Sequence, residues 1–491
     1  MQDDQQVSTG FTGTQRWGFT NTQRWVLGLA AAGSFMAALD AMVVTTALDT
    51  LRHELSASVE ALEWTVNAYT FSFAALLMTG AALGDRFGRR RMYVAGLALF
   101  ALASAACALA PSTGWLIAAR AVQGLGAALV MPIGMALLGA AFPPAQRARA
   151  LGLFSGITGL AVLSGPLIGG AIVHGLAWQW IFWINLPVAL VVGWLVLARV
   201  PEGKAASAPL DVPGAVLMTA ALLGLVWGLT RGNRAGWGST QVLLSLAVGV
   251  VLGALFVASQ RSRAWDAMVP PRLFRSPVLG AGLVIAFLLT ASLMGTLFFM
   301  AQFFQVVWHL SPLAAGAGML PWTATLFLVA PVAGAMVRRV GEKALVVFGL
   351  GLQAAGMVWL AALASPAGPL QGAGAGYWMW VLPLALAGGG ISMAMPAVQS
   401  AVLGAVEPAD VGKAAGLFNT LRQLGGVFGV ALVVAVFTRV GSYAGPQEFG
   451  AGFTAVLMVT AALSLAGAAV GWRLKPRQAQ SNSAAIHGVK S

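Results

Sequence analysis

Apolar residues run along this chain in blocks about twenty long, broken by short polar stretches, with no sustained alternation of the kind that marks strands. The blocks fall at 25–47, 62–83, 92–110, 115–140, 150–173, 180–199, 212–230, 240–259, 278–307, 313–337, 344–364, 378–402, 414–438 and 451–472. About 20 apolar residues at 1.5 Å each cross the roughly 30 Å hydrocarbon layer of a bilayer. The pattern therefore predicts an all-α polytopic membrane protein with 14 transmembrane helices.

Composition narrows the class further. The 491 residues are 58% hydrophobic and 9% charged, against about 25% charged in a soluble domain. There is too little charge to coat a surface facing water. Sixty-one glycines suit membrane helices, which approach one another through small residues. One cysteine, Cys107, excludes an intrachain disulfide and any cysteine-based metal site. The net charge of +13 has no soluble domain to sit on, so it does not point to nucleic acid. The N-terminal stretch Met1–Thr22 is polar and leads into an apolar run too long for a signal peptide, which reads as a retained anchor.

The charge has a topological explanation. With the N-terminus in the cytoplasm, 22 of the 28 Lys and Arg residues fall on inward segments. Four fall outward (Arg52, Arg231, Arg234, Arg439) and two inside spans (Arg120, Arg422). The positive-inside rule then supports an even number of spans with both termini cytoplasmic. The expected organisation is a tail over 1–24, a six-helix bundle over 25–199, and a linker with two extra helices over 200–276. A second bundle over 277–472 and a tail over 473–491 follow. "PEGKAASAP", Pro201–Pro209, is the linker candidate between halves.

The segment "LGDRFGRRRMYV", residues 83–94, crowds Asp85, Arg86, Arg89, Arg90 and Arg91 into a turn between helices 2 and 3. A second loop, "GAMVRRVGEKALVVFGL" (Gly334–Leu350), matches it when Gly88 is set on Gly341. This is the trace of an internal repeat, as in transporters built from two related halves.

Several motifs together resemble the major facilitator superfamily, in particular its fourteen-helix drug:proton antiporter branch. The loop residues Leu83, Asp85, Arg86, Gly88, Arg89 and Arg90 match that family's loop signature. "LIAARAVQGLGAA" (116–128) is similar to its helix-4 signature, with Arg120, Gln123, Gly124 and Gly126. "SGPLIGG" (164–170) is similar to the antiporter signature of helix 5, and "LDAMVVTTAL" (39–48) to that of helix 1 around Asp40. "WQWIFWINLP" (178–187) and "GLFNTLRQLGG" (416–426) also look typical of the branch. The resemblance implies the family's fold of two six-helix bundles, here with two extra central helices.

Physical reading of the same residues gives them candidate roles. Asp40 is the one acid well inside a span, where a charge costs at least about 2.5–3.5 kcal/mol on insertion scales and is functional by default. Arg120 lies at similar depth on helix 4 and is its natural partner. Desolvation and a nearby cation act on a carboxyl's proton affinity in opposite senses, so a carboxyl under both can exchange a proton as its surroundings change. The alternative is a permanent pair that fixes helices 1 and 4. Gly165, Gly169 and Gly170 permit close packing of helix 5, and Pro166 is expected to bend it. Gly88 permits a tight turn. Asp85, Arg86, Arg89 and Arg90 hold the loop inside and can form a conformational latch between halves. Candidates for a drug pocket are Trp64, Asn67, Tyr69, Gln123, Phe299, Gln302, Phe303, Gln305, Asn419, Arg422 and Gln423, a mix of aromatic walls and few polar anchors.

The implied function is a proton-driven exporter of lipophilic compounds, expected to be cationic, in a bacterial cytoplasmic membrane. It works by alternating access on small-molecule drugs and protons. A narrow exporter of one antibiotic or metabolite is the rival within the class, and a membrane-embedded enzyme or a channel is the rival from other classes. No phosphate loop of the G-x-x-x-x-G-K-[ST] type occurs, which argues against ATP hydrolysis. The four histidines are scattered, which argues against an embedded enzyme. No cofactor, metal or nucleic-acid partner is expected.

Overall fold

The computed structural model describes residues 19–474 except 48–49, 52–53, 58, 203–210, 263–266, 268, 311, 366–375 and 408–409. Among the described residues, thirteen helices are long and apolar enough to cross a membrane, and Pro144–Gly175 adds a further long helix. In chain order they are α1 (Asn21–Thr46), α2 (Val59–Phe87), α3 (Arg89–Ala108), α4 (Thr113–Ala141), α5 (Pro144–Gly175), α6 (Trp180–Arg199), α7 (Val212–Ala235) and α8 (Thr240–Ser262). α9 (Pro277–Val306), α10 (Leu320–Val340), α11 (Glu342–Ala364), α12 (Tyr377–Gly404), α13 (Val411–Val440) and α14 (Pro446–Gly471) complete the set. Most of the linker candidate lies outside the described residues.

Helix starts follow the local sequence. Thr20 and Gln23 form a capping box at α1, and Ser112, Asp211 and Ser276 accept from backbone N–H groups at the starts of α4, α7 and α9. α3 and α11 are capped instead by Gly88 (φ 99°) and Gly341 (φ 86°). The two glycines aligned in the repeat thus share one backbone conformation that side-chain-bearing residues rarely adopt.

The packing repeats as well. Within the first bundle α2 and α3 pack on α4, α1 packs on α5, and α3 and α1 pack on α6. In the second, α10 and α11 pack on α12, α9 packs on α13, and α11 and α9 pack on α14. The bundles meet through α2 against α13 and α5 against α10, two contacts that the same repeat interchanges. Gly152 lets α5 approach α10 closely, since a Cβ there would sit 2.5 Å from the Ala330 carbonyl oxygen. α7 and α8 pair with each other; α7 also packs on both α2 and α13, whereas Leu243, Leu244, Val248 and Val251 of α8 are exposed, as suits a lipid-facing helix.

One prediction follows from the paired glycines. A Cβ on Gly88 meets the Glu202 carboxylate at 2.9 Å, while one on Gly341 meets nothing within 4 Å. Both Gly→Ala substitutions incur backbone strain of about 1–3 kcal/mol. Gly88→Ala is expected to lower the melting temperature in detergent more than Gly341→Ala. Equal shifts would show that Glu202 yields without cost.

Candidate functional site

Between the bundles lies a cavity of about 1220 Å³. Its walls come from α1, α2, α4, α5 and α7 on one side and α9, α10, α12 and α13 on the other. At the end carrying the 83–94 loop the bundles are tied together. Arg147 of α5 donates to the Leu403 carbonyl of α12 at 3.2 Å and to the Gly139 carbonyl at 2.8 Å. Ser155 donates to Gln399 Oε1 at 3.2 Å. The cavity runs from this closure towards the far end of α7, where Arg231 and Arg234 stand on its wall.

Behind the first-bundle wall, Asp40 of α1 and Arg120 of α4 form an ion pair with both side chains fully buried. Gln123 Nε2 and Asn185 Nδ2 donate to Asp40 Oδ1 at 2.9 and 2.7 Å. Arg120 donates to Gln123 Oε1 at 2.7 Å and to the Thr65 carbonyl at 3.2 Å, and its Nη2 has no hydrogen-bond partner among the described residues. The helical spacing of Arg120 and Gln123, one turn apart, lets one helix present a cation and an amide to the same carboxylate. Tyr69 separates the pair from the cavity. Its ring lies 4.3 Å from the guanidinium carbon of Arg120, its hydroxyl donates to the Ala37 carbonyl at 2.8 Å, and it lines the cavity. Asp40 and Arg120 do not line it.

The charged loop spans both bundles. Arg89 Nε donates to Asp85 Oδ1 at 2.9 Å, and the Asp85 carboxylate lies against the first turn of α13, where a Cβ on Gly412 would overlap it. A carboxylate at a helix N-terminus faces unsatisfied N–H groups and the positive end of the dipole. Glu202 accepts from the Arg90 backbone N–H at 3.0 Å and pairs with the Arg90 and Arg91 side chains. Arg90 also donates to the Val200 carbonyl at the end of α6 at 3.3 Å. Arg86 occupies the last turn of α2. On the α13 side, Asp410 pairs with Arg272 at 3.0 Å and Lys413 at 3.8 Å.

The structure distributes the sequence candidates unevenly. Trp64, Asn67, Tyr69, Asn419, Arg422 and Gln423 line the cavity. Gln123 does not; it serves the Asp40 carboxylate. Phe299 and Phe303 lie in an aromatic core, stacked on Phe437 and on Trp380 and Phe453, while Gln302 accepts from the Tyr443 hydroxyl at 2.6 Å near the end of α9 and Gln305 is exposed. None of these four lines the cavity; Thr290, Met294, Leu297 and Phe298 present that face of α9. α9 is apolar all round, so its sequence gives no periodicity to say which face points inward. Gly165 brings α5 against Met42 of α1, and Gly169 is buried. α5 continues as one helix through residue 166; the side chain of Pro166 and the surroundings of Gly170 lie outside the described residues.

The sequence marks α7 as a span but not its place on the cavity wall. Trp227, Thr230, Arg231, Asn233 and Arg234 stand on the cavity wall. Trp227 packs on Trp64 with ring centroids 5.2 Å apart and carries Arg231 over its face at 4.9 Å. Thr79 and Thr219 join α7 to α2 at 3.3 Å, and Asn233 donates to the Ala431 carbonyl of α13 at 2.9 Å. The polar run "TRGNR" was the available signal, and reading its arginines as loop charges hid it. The expected preference for cations finds no Asp or Glu on the described cavity wall.

Comparison with known proteins gives a consistent picture. The Major Facilitator Superfamily model matches residues 30–430 and 282–490. The tetracenomycin C resistance and export protein of Streptomyces glaucescens is 35% identical, over 84% of this chain and 75% of that protein. The cephamycin export protein CmcT of Amycolatopsis lactamdurans is 34% identical, over 89% and 90%. Among solved structures, the proton:xylose symporter XylE bound to 6-bromo-6-deoxy-D-glucose superposes with a TM-score of 0.64 at 15% identity, covering 93% of this chain and 96% of that one.

Proposed function

The chain belongs to the major facilitator superfamily, and from that premise we propose that it exports drug-like small molecules in exchange for protons by alternating access. It is a multi-pass protein of a bacterial cytoplasmic membrane and a transporter, not an enzyme. The observation that carries the proton coupling is the buried Asp40–Arg120 pair set behind Tyr69. Protonation of Asp40 removes the charge that holds Arg120, and Tyr69, touching both the guanidinium and the cavity, passes that change to the substrate side. Asp85 against the first turn of α13, with Arg86, Arg89 and Arg90, latches the loop-side closure; Gly88, Gly165, Pro166, Gly169 and Gly170 shape the moving contacts. Trp64, Asn67, Tyr69, Asn419, Arg422 and Gln423 contact substrate. The bundles over 25–199 and 277–472 rock about the cavity, with 200–276 between them and both termini cytoplasmic.

Transport of a drug panel into inverted vesicles tests this, and collapse of the proton gradient should stop uphill movement. Gradient-independent movement would make the protein a channel or facilitator. A narrow exporter of one antibiotic is the second reading, favoured by relatives named for single compounds, tetracenomycin C and cephamycin; resistance to one member of the panel alone would select it. The topology is tested by reporter fusions: those after Arg90 and Arg275 should read cytoplasmic and one at Ala110 external, and the reverse pattern would invert the direction of transport.

A further inference from the structure

We propose that the cavity takes organic anions, aromatic acids whose ionised group is held by Arg422. The inference rests on the reading of the chain as an exporter and names its substrate class, against the cation preference that the family resemblance implies. Three arginines, Arg231, Arg234 and Arg422, stand on the wall, and no described Asp or Glu does. The acid nearest in role, Asp40, is not on the wall, and both its oxygens already accept from Arg120, Gln123 and Asn185.

Arg422 is the recognition group. It projects from the middle of α13 between Asn419 and Gln423, which also line the cavity. Its Nη2 donates to Asn419 Oδ1 at 3.2 Å, and its Nε–H is buried with no hydrogen-bond partner among the described residues. This half-satisfied guanidinium has no counter-ion among the described residues, and a carboxylate or phenolate supplies one along with paired acceptors for its fork. A cation there meets like charge with nothing to offset its own desolvation. On the same cavity's wall, Trp64, Phe71 and Trp227 form an aromatic cluster with centroids 5.2–6.3 Å apart, suited to a planar ring system.

The test uses the full-length protein in a nonionic detergent at pH 7 and three probes on one ring system: 1-pyrenebutyrate, its uncharged amide, and the cationic 1-pyrenebutylamine. Binding is read by energy transfer from the cavity tryptophans. The acid is expected to bind at least tenfold tighter than the amide or the amine. Arg422→Gln should remove that advantage, costing the acid about tenfold more affinity than the amide, and Arg422→Lys should keep part of it. Equal or tighter binding of the amine overturns the proposal. So does an Arg422→Gln variant that weakens acid and amide alike, since that is the mark of a structural arginine. If Arg422→Gln does not fold, the order of the three probes on the unsubstituted protein decides. Binding in detergent needs no gradient: selective acid binding without proton-driven export overturns the exporter reading and leaves this one standing, whereas proton-driven export of amines with no acid selectivity does the opposite.

Discussion

Asp40→Asn is expected to abolish uphill export while leaving the helices assembled. The amide keeps the shape and can still accept from Asn185 or Gln123, which reach Asp40 Oδ1 at 2.7 and 2.9 Å. It cannot titrate, and it cannot neutralise Arg120, which is fully buried. The stability cost is therefore real but smaller than for Asp40→Ala, where removal of one partner of a buried pair is worth about 3–5 kcal/mol. Arg120→Lys should also fail, because one ammonium cannot reach Asp40, Gln123 and the Thr65 carbonyl as the guanidinium fork does. The measurement is drug-induced proton movement in proteoliposomes, with folding followed separately. Undiminished proton release and uphill export by well-folded Asp40→Asn would sink the assignment of this carboxyl to coupling.

Gly412→Leu should disable transport by a different route. The Asp85 carboxylate occupies the space a side chain would need at Gly412, so the two cannot share the closed loop-side contact. The variant is expected to favour the conformer in which α2 and α13 separate. A bias of about 2.7 kcal/mol, half of the roughly 5.5 kcal/mol that carries a two-state equilibrium from 1:99 to 99:1, turns an even mixture into about a hundred to one. The one cysteine, Cys107, is buried and its thiol donates to Gln123 Oε1 at 3.6 Å, a contact that a serine hydroxyl can replace, so Met135→Cys on the cavity wall offers a clean reporter in a Cys107→Ser background. Its labelling by an impermeant maleimide from the loop side should rise as export falls, and Asp85→Asn should move both in the same direction but less far. Unchanged labelling with intact export would remove the latch from the mechanism.

Much of the architecture was written in one dimension. Fourteen apolar blocks set the helices, because a bilayer demands a run of fixed length whatever its neighbours do. The repeat was legible in two glycines, since Gly88 and Gly341 hold a backbone conformation that constrains residue type locally. Asp40 and Arg120 stood out for the same kind of reason: charge in hydrocarbon is costly enough to be conspicuous in any sequence. Facing was not legible. α9 is apolar on every side, so nothing in its sequence distinguished Phe298, on the cavity wall, from Phe299, packed on Phe437. Nor could the sequence say that Gln123 would turn from the cavity to Asp40, or that Tyr69 would stand between the two. The place of α7 was the largest gap. Its arginines read as loop charges until packing on α2 and α13 put them on the wall of the cavity. The sequence by itself determined which segments enter the membrane and which charges must find partners there, because both follow from transfer out of water. Only the tertiary structure decided which faces meet and which charges remain for a ligand, because in a chain apolar all round those choices belong to close packing between helices.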